Sequence, residues 1–309
     1  MGTVELGHRY RVLGRVGQGS VGDVYKAIQA NLARPVAVKV MREDLPVTEF
    51  GWAVERFHHE ACVTANLVHP NVVTLFDYGC TPDGRPFMAM ELLDGPSLQE
   101  LMTKGPISLA ETARIFDSVL QGIEQAHREG LIHRDLKPGN IMVGASDSLE
   151  QNVKILDFGM SVYKEKAGCG PHQWVVGSLG YMAPEQARAE ALDHRADLYA
   201  VGVMVYQALT GKHPFQANSV KEWIEAHITA EVSLDPFSSQ ALKRWVSKAL
   251  AKNPDERFES ARAMSDEMNR ALTIESHRQR SRFRSFHHVY ISCLATYSVG
   301  LWTYLLVLN

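Results

Sequence analysis

Strand-like alternation is confined to the part of the chain before Gly95, and this constrains the fold more than any other feature. Apolar and polar positions alternate with glycine breaks in Tyr10–Val16, Val24–Ala27 and Pro35–Val40. A period of two with such breaks predicts three antiparallel strands. A helical pattern follows from Glu49 to Leu67 and stops before His69-Pro70. Alternation returns at Val72–Tyr78 and Phe87–Leu92, joined by the turn-forming Pro82-Asp83-Gly84. From Ser97 onward the period is helical, over Ser97–Thr103, Leu109–Arg128, His194–Thr210, Val220–His227, Ser239–Ala251 and Ser260–Leu272. Ser108 and Ser260 stand where N-caps belong. Strands first and helices afterwards predict an α+β protein, with a small sheet lobe ending near Glu91–Gly95 and a larger helical lobe. A chain of 309 residues is long enough for both.

The net formal charge of −3 is unevenly spread. Residues 276–309 hold four arginines and no Asp, Glu or Lys, so residues 1–275 carry −7. That acidity argues against nucleic acid as the main partner, since phosphate backbones need basic patches. The four cysteines, Cys62, Cys80, Cys169 and Cys293, are scattered without a CxxC or a histidine at ligand spacing. This spacing argues against a disulfide framework or zinc site and favours a reducing cytoplasm. Met1–Tyr10 has no apolar run and does not read as a signal peptide.

Val289 to Leu308 carries no formal charge. Twenty helical residues reach about 30 Å, the thickness of a bilayer core. Tyr290, Trp302 and Tyr304 suit a membrane interface, and Arg278, Arg280, Arg282 and Arg284 predict a cytoplasmic flank. The expectation is one terminal membrane span at 289–308, reached by a polar, basic linker at 274–288, with the part before it cytoplasmic and the chain tail-anchored. Ser292, Thr296, Ser298 and Thr303 dilute the apolarity, so an amphipathic or buried helix is the alternative. Ser292, Thr296 and Gly300 recur every four residues, a small-residue stripe that permits a homodimer through the span.

His133-Arg134-Asp135-Leu136-Lys137-Pro138-Gly139-Asn140 and Asp157-Phe158-Gly159 supply a proton acceptor, a cation and two types of metal ligand in one short stretch. Phosphoryl transfer needs these residue types, because its catalysis is mostly positioning and charge stabilisation. Gly17-Gln18-Gly19-Ser20-Val21-Gly22-Asp23-Val24, Val36-Ala37-Val38-Lys39 and Ala183-Pro184-Glu185 complete the pattern. Together they resemble the eukaryotic-type (Hanks-type) protein kinases over residues 8–273. Ala183-Pro184-Glu185-Gln186 and Asn253-Pro254-Asp255-Glu256-Arg257 look like the serine/threonine kinases of bacteria.

The resemblance implies a bilobal protein kinase fold, with lobes at about 8–94 and 95–273, that binds ATP and Mg²⁺ and phosphorylates protein Ser/Thr. Gly17, Gly19, Ser20 and Gly22 would let the backbone approach phosphate oxygens; a strand follows them, as in kinases and unlike a Rossmann or Walker loop. Lys39 would hold the α and β phosphates, with Glu60 as its partner; Glu55, five residues away, does not share the helix face well. Asp135 would accept or orient the hydroxyl proton, and Lys137 would touch the transferred phosphate. Asn140 and Asp157 would hold magnesium with hard oxygen ligands. Val24 and Ala37 above, Met142 below and Met90 behind would enclose adenine, with Glu91 to Leu93 as the hinge. Asp197, Glu185 and Arg257 resemble structural residues.

The chain departs from the family in three places. No threonine lies between Asp157 and Glu185, although Arg134 normally pairs with a phosphorylated loop residue. Either Trp174 and its neighbours hold that loop by packing, or a partner or self-association does; Ser161 and Ser178 are its serines. Ser178 stands where a threonine hydroxyl would link Asp135 and Lys137. Gly139 replaces an acid found in kinases that prefer basic substrates. The motifs favour an active enzyme over a kinase-fold scaffold, and the Ala-Pro-Glu segment favours a protein over a small-molecule acceptor.

Overall fold

A computed structural model describes residues 6–19, 21–44, 47–144, 153–158, 162–163 and 178–278. Ser20, Gly159, Ser161, the stretch 164–177 and the expected span at 289–308 lie outside the described residues. Among the described residues, no helix is long and apolar enough to cross a membrane.

The small lobe is a sheet of β1 (Tyr10–Gln18), β2 (Gly22–Gln29), β3 (Arg34–Met41), β4 (Leu75–Cys80) and β5 (Pro86–Glu91), with α1 (Val47–Asn66) packed on it. Its spatial order is β1-β2-β3-β5-β4, antiparallel throughout. Register places Val24 opposite Lys39, Ala37 opposite Met90 and Lys39 opposite Met88. Cross-strand partners share a sheet face, so these side chains line one surface. Val36, Val38, Val40 and Ala89 pack with Tyr10 and Phe87, while Met41, Phe57, Ala61 and Met88 form a second cluster under α1.

The strand expected at Val72–Tyr78 begins at Leu75 instead. Residues 71–74 spend their backbone groups elsewhere. Val73 N–H donates to Ile155 O (3.0 Å), Ile155 N–H to Asn71 O (2.9 Å) and Glu91 N–H to Thr74 O (3.0 Å). The segment is thereby sewn to β8 (Val153–Ile155), which in the large lobe pairs with β7 (Ile141–Val143), the strand after the two-residue β6 (Leu131–Ile132).

The helical elements lie close to their expected positions. α2 (Leu98–Thr103) opens with a capping box of Ser97 and Glu100, and α3 (Leu109–Arg128) with Ser108 accepting Glu111 N–H. The short α4 (Pro184–Ala187) leads toward α5 (Arg195–Thr210), which is apolar around nearly its whole circumference and accordingly buried. α6 (Val220–Thr229) and α7 (Gln240–Ala249) follow, the latter capped by Ser239. The last helix, α8, covers residues 261–278 and passes the expected end at Leu272. Glu275 gives the reason: it is 2% exposed, and its carboxylate accepts Ser238 N–H (3.1 Å) and Ser239 N–H (2.6 Å). The large lobe has a single core built around Trp245, Tyr199, Phe116 and Phe258.

Candidate active site

The backbone at residues 17–22 turns between β1 and β2, with Gly19 N–H donating to Gly22 O (2.9 Å). None of Gly17, Gly19 and Gly22 takes a left-handed φ, so forbidden conformations are not why glycine stands there. Close approach is the reason at Gly22, where a Cβ would lie 2.9 Å from Val40 O. A small cavity of about 40 Å³ is lined by Gly19, Gly22, Lys39, Phe57, Glu60 and Asp157.

Lys39 Nζ donates to both carboxylate oxygens of Glu60, at 2.6 and 2.8 Å, and stands 3.8 Å from Asp157 Oδ1. The helix α1 delivers Glu60 because Phe57 and Ala61 beside it are buried under the sheet. Burial raises the Glu60 carboxyl to about 7, against the pull of Lys39. Burial alone would lower the Lys39 ammonium; the charges of Glu60 and Asp157 outweigh it and raise it. As pH falls through about 7 Glu60 takes a proton, and Lys39 loses its main countercharge. In the free enzyme, kcat/KM for ATP is therefore expected to fall on the acid side with an apparent pKa near 7. A pH profile of Glu60→Gln should lack that limb; an unchanged limb would show that another group titrates.

Asp135 is 6% exposed. Its Oδ2 accepts from Lys137 Nζ (2.9 Å), and its Oδ1 accepts the Ser178 backbone N–H (2.8 Å). The link expected through the Ser178 hydroxyl thus runs through the backbone. Asn140 Nδ2 donates to Asp135 O (3.0 Å), which leaves Oδ1 as the atom available to a cation. Leu156 N–H donates to Asn140 O (2.8 Å), bringing Asp157, the next residue, toward Asn140.

Arg134 and Asp157 have positive φ, 68° and 60°, a conformation uncommon outside glycine. At Arg134 the holding group is Asp197, whose carboxylate accepts the N–H groups of His133 and Arg134, each at 2.9 Å, and bonds His127 Nε2 at 2.8 Å. Burial opposes its charge, but these partners hold the Asp197 carboxyl below the ordinary range. Arg134 itself is partly buried, and its Nε has no hydrogen-bond partner among the described residues. Glu185 and Arg257 form a bidentate pair with both distances 2.7 Å and side-chain exposures of 4% and 0%.

Met90 and Ala37 pair across β3 and β5, and Met142 stands in β7 opposite Lys154. Lys154 was not foreseen from the sequence. It is 8% exposed, and its Nζ donates to Glu91 Oε1 (2.7 Å), which also accepts Thr74 N–H (2.7 Å). This ion pair joins Glu91, at the end of β5, to β8, the strand preceding Asp157. The signal was one charge in the apolar run Val153-Lys154-Ile155-Leu156. Two residues beyond Leu93, Gly95 has φ 140°, and a Cβ there would lie 2.2 Å from Val143 O.

A family model described as protein kinase domain matches residues 10–268. The chain belongs to the protein kinase family. It is 39% identical over 274 residues to the serine/threonine-protein kinase pkn3 of Myxococcus xanthus, covering 85% of this chain and 50% of that protein. Identity is 35% over 276 residues to PknB of Mycobacterium tuberculosis, with 86% and 43% covered. It is 33% over 273 residues to PrkC of Bacillus subtilis, with 86% and 41% covered. Within the family, its similarity is to serine/threonine-protein kinases of bacteria. The chain spans half or less of the length of these relatives.

Proposed function

We propose that this chain is a serine/threonine protein kinase that passes the γ-phosphoryl group of Mg·ATP to protein hydroxyls. The observation that carries the reading is a pair of linked charge clusters, Lys39 with Glu60 and Asp157, and Asp135 with Lys137, joined through Asn140, which donates to Asp135 O and accepts from Leu156 N–H next to Asp157. The residues fit the nucleotide. Gly22 keeps the backbone open, and Asn140 Oδ1 with the Asp157 carboxylate forms a hard-oxygen donor set suited to Mg²⁺. Bound metal would neutralise charge on the phosphates. Lys39, aimed by Glu60, would bind the α and β phosphates. Val24, Ala37, Met90 and Met142 would sandwich the base, and Glu91 to Leu93 would offer it backbone groups. Asp135 would orient the substrate hydroxyl and take its proton at a carboxylate oxygen. Lys137 would offset charge on the transferred group.

Membrane-associated signalling is the wider reading. Its support is the uncharged stretch 289–308 behind four arginines, which would anchor a cytoplasmic kinase by a single pass. The Ser292, Thr296 and Gly300 stripe would allow pairing of two copies there.

The test is transfer of label from γ-³²P-ATP to protein by the full chain with Mg²⁺. Asp157→Asn should weaken transfer and raise the Mg²⁺ concentration it requires. Label incorporation that is equal and negligible in wild type and variant would favour a scaffold.

A further inference from the structure

The loop Ser178–Tyr181 lies directly against Asp135 through the Ser178 N–H bond. A protein whose hydroxyl reaches Asp135 must lie across this loop, where Ser178, Leu179, Gly180 and Tyr181 are all partly exposed. The position of the loop therefore sets where the polypeptide on either side of the hydroxyl rests.

Two side chains from elsewhere fix that position. Tyr181 OH donates to Gln207 Oε1 on α5 (2.8 Å). The second is His213, on the turn after α5. Its Nε2–H donates to Gly180 O at 2.6 Å, and its Nδ1 lies 2.9 Å from Phe215 O and 3.1 Å from Phe215 N. A carbonyl oxygen only accepts, so the 2.6 Å contact fixes the proton on Nε2, whichever Phe215 group Nδ1 uses. The ring is wedged edge-on against Trp223 (4.8 Å, 88°) and Tyr181 (5.6 Å, 74°). A Cβ on Gly180 would meet His213 Nε2 at 3.3 Å and Trp223 at 3.8 Å, so the loop backbone rests on these rings. Burial lowers the His213 pKa, consistent with the neutral form.

We infer that His213 is a positioning residue for the protein substrate: its Nε2–H hooks the Gly180 carbonyl and holds the substrate-facing loop in register with Asp135. The inference rests on the proposed kinase activity and refines it. His213 touches none of the nucleotide-binding residues named above, so its loss should act on the protein substrate and spare ATP.

Steady-state kinetics of the full chain would test this, using whichever of dephosphorylated casein, myelin basic protein or histone the wild type labels best. Losing one buried hydrogen bond of this kind is worth about 1 kcal/mol, or about 5-fold. His213→Ala, which also loses ring packing, should raise KM for the protein about 5- to 10-fold, with KM for ATP within about twofold. His213→Phe keeps a ring against Trp223 and loses the donor, so it should show the same split even if the alanine variant folds poorly. His213→Gln, whose side-chain amide can donate to Gly180 O, should recover most of the loss. Unchanged protein KM in the alanine and phenylalanine variants, or ATP KM rising in step with it, would overturn the inference. A wild type that labels none of the three proteins would instead overturn the kinase reading, and this inference with it.

Discussion

Asp135→Asn should lower phosphoryl transfer about 10²- to 10⁴-fold, the usual contribution of a positioned acid or base. The amide keeps the shape of the carboxylate and can still accept the Ser178 N–H at Oδ1. It cannot take a proton. Its NH₂ would also face Lys137 Nζ, which now donates to Oδ2 at 2.9 Å. ATP affinity should change little, because the Asp135 carboxylate is bonded to Lys137 and Ser178 among the described residues, not to Lys39 or Glu60. Initial rates with labelled ATP, beside equilibrium binding of a fluorescent ATP analogue, separate the two effects. Transfer at the wild-type rate would remove Asp135 from the chemistry.

Arg257→Met should cost about 3–5 kcal/mol of stability, because it leaves the Glu185 carboxylate buried without its partner. The lost side chain also donates to Ala251 O (2.8 Å), Arg195 O (3.1 Å) and Lys252 O (3.2 Å), tying the segment after α7 to the start of α5. Urea denaturation of both single variants and of Arg257→Met with Glu185→Met completes the cycle. The double variant should recover much of the loss, since replacing both members of a buried pair by apolar groups is often near neutral. If Arg257→Met costs no more than an exposed pair, about 1 kcal/mol or less, the pair is not the brace its burial implies.

The sequence was most legible where chemistry or local sterics dictate residue types. Phosphoryl transfer fixes the spacing from Asp135 to Asn140 and Asp157, so these residues stood out. α3 could be bounded at both ends, with Ser108 accepting Glu111 N–H at one and Gly130 at φ 75° beyond the other. Lys154 and His213 were not legible: their partners Glu91 and Gly180 are 63 and 33 residues away, and no periodicity encodes such pairs. The start of β4 was missed for the same reason. Residues 71–74 have strand composition, but their hydrogen bonds go to β8 and Glu91 instead of continuing the sheet. The Ser178 backbone bond to Asp135 was not foreseen, because a hydroxyl advertises itself in a sequence and a backbone N–H does not.

The stitching of residues 71–74 has a mechanical consequence. Residues 71–74, between two small-lobe elements, reach over to the large lobe and are fastened to β8 by Val73 and Asn71, with the Lys154–Glu91 pair beside them. The chain itself passes from the small lobe to the large one at 92–95, and just beyond, Pro96 O accepts Val143 N–H at 2.9 Å. Any swing of the small lobe would therefore bend residues 92–95 and load the bonds at 71–74 at once, like a door held by a hinge and a latch.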